Sequence, residues 1–271
     1  GPRAVRRAWP SVVVGETPVA EDAVFVDLDR DGALDVVTSS ELAVEQVFVH
    51  WSPKDPVRRL VREAWRQERF RAVDGLSPWM FAEPIELASP EGTRRGLVIG
   101  GKVEPSDPRA PAVGSDRTAV LGLLLPQSDP AKADDYVWRP LTAVHWTMSI
   151  VVHDLDGDGR SDILYSDKHG PESGVFWLEN PGADAFGGVW PRHTITRGVE
   201  STMLITLADL DADGEPEIVA PIDHDPVGDA PKQRSIRILR RRDAAATRWT
   251  AIDLPVPAAT GQPKSIAAGD V

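Results

Sequence analysis

Apolar residues in this chain fall in short runs of β-branched and aromatic character, not in long helical stripes. Ala23-Val-Phe-Val26 and Asp35-Val-Val-Thr38 flank a polar loop. Further runs at Gln46-Val-Phe-Val-His50, Gly174-Val-Phe-Trp-Leu178 and Ser235-Ile-Arg-Ile-Leu239 end in Pro, Asn or charge. Alternating or briefly continuous apolar stretches bounded by turn residues predict β-strands. One window, Pro56 to Arg69, is rich in Arg and Glu and predicts an inserted helix or an extended charged loop. No apolar run approaches the roughly 20 residues of a membrane-spanning helix, so membrane insertion is not expected.

The polar loops repeat. Asp27-Leu-Asp-Arg-Asp-Gly-Ala-Leu-Asp35, Asp154-Leu-Asp-Gly-Asp-Gly-Arg-Ser-Asp162 and Asp209-Leu-Asp-Ala-Asp-Gly-Glu-Pro-Glu217 share the pattern D-x-D-x-D-G-x-x-[DE]. Their starts lie 209 − 154 = 55 and 154 − 27 = 127 residues apart, which implies a unit of roughly 55 to 65 residues with one copy altered. The altered copy is Glu86 to Gly96, where Ala88, Pro90, Arg94 and Arg95 replace most acids. A Trp announces each unit, at Trp9, Trp65, Trp138, Trp190 and Trp249. Two strands around each loop, a third beyond them and a fourth from the next Trp segment make a four-stranded unit, and tandem units of that kind predict an all-β propeller. The expected domain is a single propeller over 1–271, with approximate blades 9–64, 65–137, 138–189, 190–248 and a partial 249–271. The start, Gly1-Pro2 without Met, resembles the scar of a cleaved tag, so the absence of a leader here proves nothing.

Carboxylates at positions 1, 3 and 5 of such a loop point oxygens to one side, and Gly at position 6 lets a position-7 carbonyl turn inward. That donor set suits calcium. The expected ligands are Asp27, Asp29, Asp31, Ala33 and Asp35; Asp154, Asp156, Asp158, Arg160 and Asp162; Asp209, Asp211, Asp213, Glu215 and Glu217, with positions 7 acting through backbone. An EF-hand needs Glu at position 12, where Thr38, Tyr165 and Ala220 stand, so that alternative fails. The bland alternative is an Asp-rich turn. Three Ca²⁺ would add +6 to a formal charge of −12, leaving −6. At about 10⁻⁴ M affinity and tenfold excess calcium each site stabilises by roughly 1.4 kcal/mol, about 4 kcal/mol for three.

The spacing of these loops on β-hairpins resembles the FG-GAP/VCBS repeat family, whose integrin α-subunit members are the best known; the bacterial VCBS type is the nearer likeness. The resemblance implies the propeller and calcium. It also implies that the acidic hairpins share one face, leaving the strand 2 to 3 loops and the interblade lead-ins on the opposite face, where ligands meet propellers. Those segments hold Ser39, Ser40 and Glu41; Lys102 and Glu104; Asp167, Lys168 and His169; Asp223, His224 and Asp225; and Trp79, His145, Trp146, Glu200 and Lys264.

Lys and Arg number 30 against 42 Asp and Glu, which disfavours nucleic acid as a partner, and Cys is 0, which excludes disulfides and thiolate chemistry. The leading expectation is a calcium-stabilised, secreted or extracytoplasmic module that recognises a glycan or a protein through Lys102, Glu104, Trp146, Asp167, His169, Glu200 and His224. The competing one is a carbohydrate lyase or dehydratase, suggested by a likeness to dehydratase-type propellers in the Trp-to-His lead-ins. It would hold zinc or another transition metal on His145, His169 and His224, with Asp223 and Lys168 beside them. A structural spacer is the third. Trp79 and Trp146 either stack on sugars or pack between blades. His153 orients the second loop and His193 sits on an outer strand. The Arg-rich stretches 58–71 and 237–242 read as solvated faces.

Overall fold

The computed structural model describes residues 9–42, 44–90, 92–103, 118–170, 173–198, 200–224, 233–257, 261 and 263–267. Strands β1 (Ala20–Val26), β2 (Asp35–Ser40), β3 (Val47–Trp51) and β4 (Arg66–Arg69) form one antiparallel sheet in chain order. A second is made by β5 (Trp79–Ser89), β6 (Gly92–Gly101), β7 (Ala119–Pro126) and β8 (Tyr136–Val144). The third holds β9 (Thr147–His153), β10 (Asp162–Asp167), β11 (Gly174–Leu178) and β12 (Arg192–Arg197). In the fourth, β13 (Glu200–Thr202) and β14 (Thr206–Ala208) both pair with β15 (Glu217–His224), followed by β16 (Gln233–Arg241) and β17 (Trp249–Pro255). This is the propeller-like architecture that the repeats predict.

The blades stack face to face, so each middle strand is covered on both sides. That is why β10 and β11 are buried at every residue and read as continuous apolar runs. Alternate residues of β10 serve opposite neighbours. Ile163 and Tyr165 join Leu121 and Leu123 of the second blade, whereas Leu164 joins Ile218 and Ile222 of the fourth. The first and second blades meet through Val37, Val49, Trp79, Leu97 and Tyr136. Serines bridge the same junctions: Ser39 Oγ donates to the Met80 carbonyl at 2.8 Å, and its counterpart Ser166 Oγ to the Met203 carbonyl at 3.0 Å.

The Trp segments supply the fourth strands, as expected: Trp138 lies in β8, Trp249 in β17, and Trp65 and Trp190 just ahead of β4 and β12, so each closes a blade and does not open the next. The blades therefore run 20–69, 79–144, 147–197 and 200–255, out of phase with the expected limits. The Pro56–Arg69 window is no α-helix. Pro56–Leu60 and Arg62–Ala64 form short 3₁₀ turns, and the remainder is edge strand β4, since Gln67 and Glu68 are needed by β3. Of the partial fifth unit, Lys264 lies beside the fourth blade and accepts from Leu204 N at 3.0 Å; residues 268–271 lie outside the described residues, as do Gly1 and Pro2.

Candidate metal centres and channel mouth

The three acidic loops are the β1–β2, β9–β10 and β14–β15 connections, and they share a common set of backbone bonds. Position 1 accepts from the amide of the position-6 glycine: Gly32 N to Asp27 Oδ2 at 3.2 Å, Gly159 N to Asp154 Oδ2 at 2.8 Å and Gly214 N to Asp209 Oδ2 at 3.0 Å. Those glycines have φ of 90°, 85° and 89°, the left-handed region a β-carbon disfavours. Position 4 is left-handed too, at Arg30, Gly157 and Ala212, which the sequence reading missed because the residue types differ.

Carboxylates at positions 1, 3 and 9 converge. Asp27, Asp29 and Asp35, then Asp154, Asp156 and Asp162, then Asp209, Asp211 and Glu217 each bring oxygens within 4.8 Å of one another. Position 5 is not in these sets: Asp31, Asp158 and Asp213 each accept from the position-7 amide, at 2.8, 2.9 and 2.9 Å. Position 9 has a second task that spacing did not reveal. Asp35 and Asp162 accept from the position-2 amides of Leu28 (3.0 Å) and Leu155 (2.9 Å). With the other oxygen they accept from Ser52 N and Asn180 N, both at 2.8 Å. The Leu28 and Leu155 side chains are buried, pinning each loop to the core. Leu at position 2 was the available signal for these two loops, whereas Leu210 of the third is exposed.

Burial pushes the Asp35 and Asp162 carboxyls up to about 7 from 3.8, against the pull of those amides. Glu83, half-buried on β5 near Asp22, is pushed to about 7 by the same cause. A folded pKa raised above the unfolded one costs stability fully above it, and the cost shrinks as pH falls below the folded value toward the unfolded one. In chelator, the urea midpoint is therefore expected to rise as pH is lowered from about 8 to about 6.5; a falling midpoint would contradict this. Below that window His50, whose imidazole burial holds down, works the other way.

The donor chemistry fits a hard divalent cation: oxygens only, and in the first loop Asp27 Oδ1 is buried with no hydrogen-bond partner. Residues 154–220 match the FG-GAP-like repeat family. The FG-GAP-like repeat thus runs from the first acid of the second loop through the third loop into β15. No curated protein matches the chain significantly. In the second blade a tight β5–β6 hairpin stands where the other blades carry the acidic loop. Its Arg95 holds Glu86 at 2.6 Å and reaches across to the Asp27 carbonyl.

At the opposite strand ends, Glu41, Lys102 and Lys168 occupy one repeat position, their amides donating to Val19, Pro78 and Trp146 carbonyls at 3.2, 3.0 and 2.9 Å. Asp223 is their counterpart in the fourth blade by register. Lys102, only 5% exposed in its side chain, pairs with Glu41. The ring of Trp146 carries the Lys102 ammonium at 4.5 Å and the Lys168 ammonium at 5.0 Å, with the His169 ring edge-on at 5.1 Å. Asp167 is buried and accepts from the amides of His145 (2.9 Å) and Trp146 (2.8 Å), while the His145 ring stands 3.8 Å away. Beneath lie Met80, Met148 and Met203, the chain's three methionines, one from each of three successive blades.

Not every predicted ligand residue joins this cluster. Trp79 is fully buried, its Nε1 donating to the Val73 carbonyl at 3.1 Å, and so belongs to the core. Ser39 and Ser40 are buried as well. Glu104 and Asp225 lie outside the described residues, as do the side chains of Glu200 and His224. Among the described residues, the groups of three or more converging ligand atoms are the acidic loops, and none contains a histidine. His193 sits on outer strand β12, stacked on Trp177 at 4.4 Å, as expected. No helix among the described residues is long and apolar enough to cross a membrane.

Proposed function

We propose that this protein is a calcium-stabilised propeller-like interaction module, working outside the cytoplasm where calcium is abundant, that binds a protein partner through the mouth formed by Glu41, Lys102, Trp146, Lys168 and His169. The observation that carries the calcium reading is the threefold convergence of position 1, 3 and 9 carboxylates within 4.8 Å, on loops that share the bonds from the position-6 amide to position 1 and from the position-7 amide to position 5. Burial of Asp35 and Asp162 adds to it, since a carboxylate raised to about 7 gains from a bound cation at neutral pH. Weak oxygen-ligand sites fill only where calcium is near millimolar.

A protein is favoured over a glycan because the Trp146 ring already carries two ammoniums, at 4.5 and 5.0 Å, and an edge-on His169 ring at 5.1 Å, contacts with which a stacking sugar would have to compete. What remains exposed is a rim of mixed charge, which selects partners by electrostatic complementarity.

Elemental analysis of protein purified without chelators tests this reading. Calcium is expected, without stoichiometric zinc or manganese. Stoichiometric zinc that disappears in a His169→Ala, His224→Ala double variant would instead establish the metal-dependent lyase or dehydratase.

A further inference from the structure

We propose that Arg240 is a built-in cation of the third acidic loop, and that the three loops consequently bind calcium with unequal affinity, the second tightest, the first next and the third weakest. This rests on the calcium reading above.

Register exposes the device. Pairs Val36↔His50, Ile163↔Leu178 and Ile218↔Leu239 fix the facing of each second and third strand. One step further out, position 9 of each loop faces Trp51, Glu179 and Arg240 respectively, a neutral ring, an acid and a base at one place in the repeat. Arg240 Nε donates to Glu217 Oε1 at 3.0 Å, and its Nη2 pairs with Asp211 Oδ2. Those are two of the three converging carboxylates of that loop.

The substitution of Glu for Asp at position 9 matters here. Asp35 and Asp162 give their second oxygen to a backbone amide, Ser52 N or Asn180 N. In the third loop the corresponding residue, Arg241, stays in the ladder opposite Trp249, and the second oxygen of Glu217 goes to Arg240. Arg241 meanwhile pairs with Glu215 and reaches the Leu155 carbonyl, tying the third loop to the second. A guanidinium seated on two ligands both satisfies their charge without metal and repels an incoming dication.

The other loops differ in the same currency. At the second, the negative charge of Glu179 acts on Asp156, Glu179 bonds His193 Nε2 at 2.9 Å, and the loop's own guanidinium, Arg160, pairs with Asp158, which is outside the three converging carboxylates. At the first, Arg95 approaches a single ligand, 3.7 Å from Asp27 Oδ2.

Calcium titration by calorimetry on the full chain decides the matter, with Asp29→Ala, Asp156→Ala and Asp211→Ala assigning the sites. The third loop is expected to be at least about tenfold weaker than the second. Arg240→Gln is expected to bring it to within about threefold of the first, leaving the other two unchanged. Because Arg240→Gln also removes ion pairs that hold the loop, the reciprocal variant Glu179→Arg is measured too, and is expected to weaken the second loop by at least about tenfold with no change at the third. Three equal sites, indifferent to both variants, would overturn the proposal and leave the calcium reading standing. Absence of calcium at the first and second loops would remove that reading, and the proposal with it.

Discussion

Withdrawal of calcium by excess EGTA at neutral pH is expected to lower the stability of the protein by about 3 kcal/mol, read as a fall in the urea midpoint at unchanged slope. Two filled loops at tenfold excess over a dissociation constant of about 10⁻⁴ M contribute roughly 1.4 kcal/mol each, and a third, weaker loop adds less. The effect is large because a domain's whole margin is only about 5–15 kcal/mol. Its structural origin is the packing of three carboxylates within 4.8 Å at each loop, a repulsion that the metal relieves. Magnesium at the same concentration is expected to restore much less, since it demands a smaller, octahedral oxygen cage. An unchanged midpoint in EGTA would sink the metal assignment.

Asp162→Ala is expected to be the most damaging single change in the loops, costing about 4 kcal/mol in calcium. Part is the lost site, and the rest comes from the buried amides of Leu155 and Asn180, each left unpaired at about 1–3 kcal/mol. The contrast with Asp156→Ala separates the two tasks. Asp156 converges on the metal position but holds only the Asp158 amide, at 3.2 Å, so its loss is expected to matter in calcium and to vanish in chelator. Asp162→Ala retains about 2 kcal/mol of damage in chelator, reduced there because the buried carboxylate it removes was itself costly at neutral pH. Equal behaviour of the two variants in chelator would show that position 9 is no clamp.

Repetition made the architecture legible. Three loops of one pattern, short apolar runs on either side and the Trp spacing were enough for an all-β propeller of four-stranded units, and the observed sheets have that form. The phase of the blades was not legible, because a Trp at the end of one four-stranded unit and at the start of the next gives the same spacing. Nor was the fate of Pro56–Arg69, whose Arg and Glu content suits a helix. Pairing of Phe48 and Val49 with Arg69 and Glu68 makes part of it a strand, as tertiary context routinely overrides propensity.

Within the candidate sites, sequence alone located the three acidic loops, because alternating acids and a glycine at position 6 are local requirements of one tight turn, but it could not tell that positions 1, 3 and 9 converge while position 5 turns to the position-7 amide. Tertiary structure decided everything that depends on a second strand or a second blade. It placed Arg240 on the third loop and Glu179 on the second, although the sequence read 237–242 as a solvated face. It put Lys102 and Lys168, 66 residues apart by 168 − 102, on one indole ring, and it buried Trp79 while leaving Trp146 half-exposed. The physical reason is range. A loop's hydrogen bonds and φ angles are fixed by neighbours within a few residues, whereas charge compensation and burial are fixed by whatever the stacking of blades brings alongside.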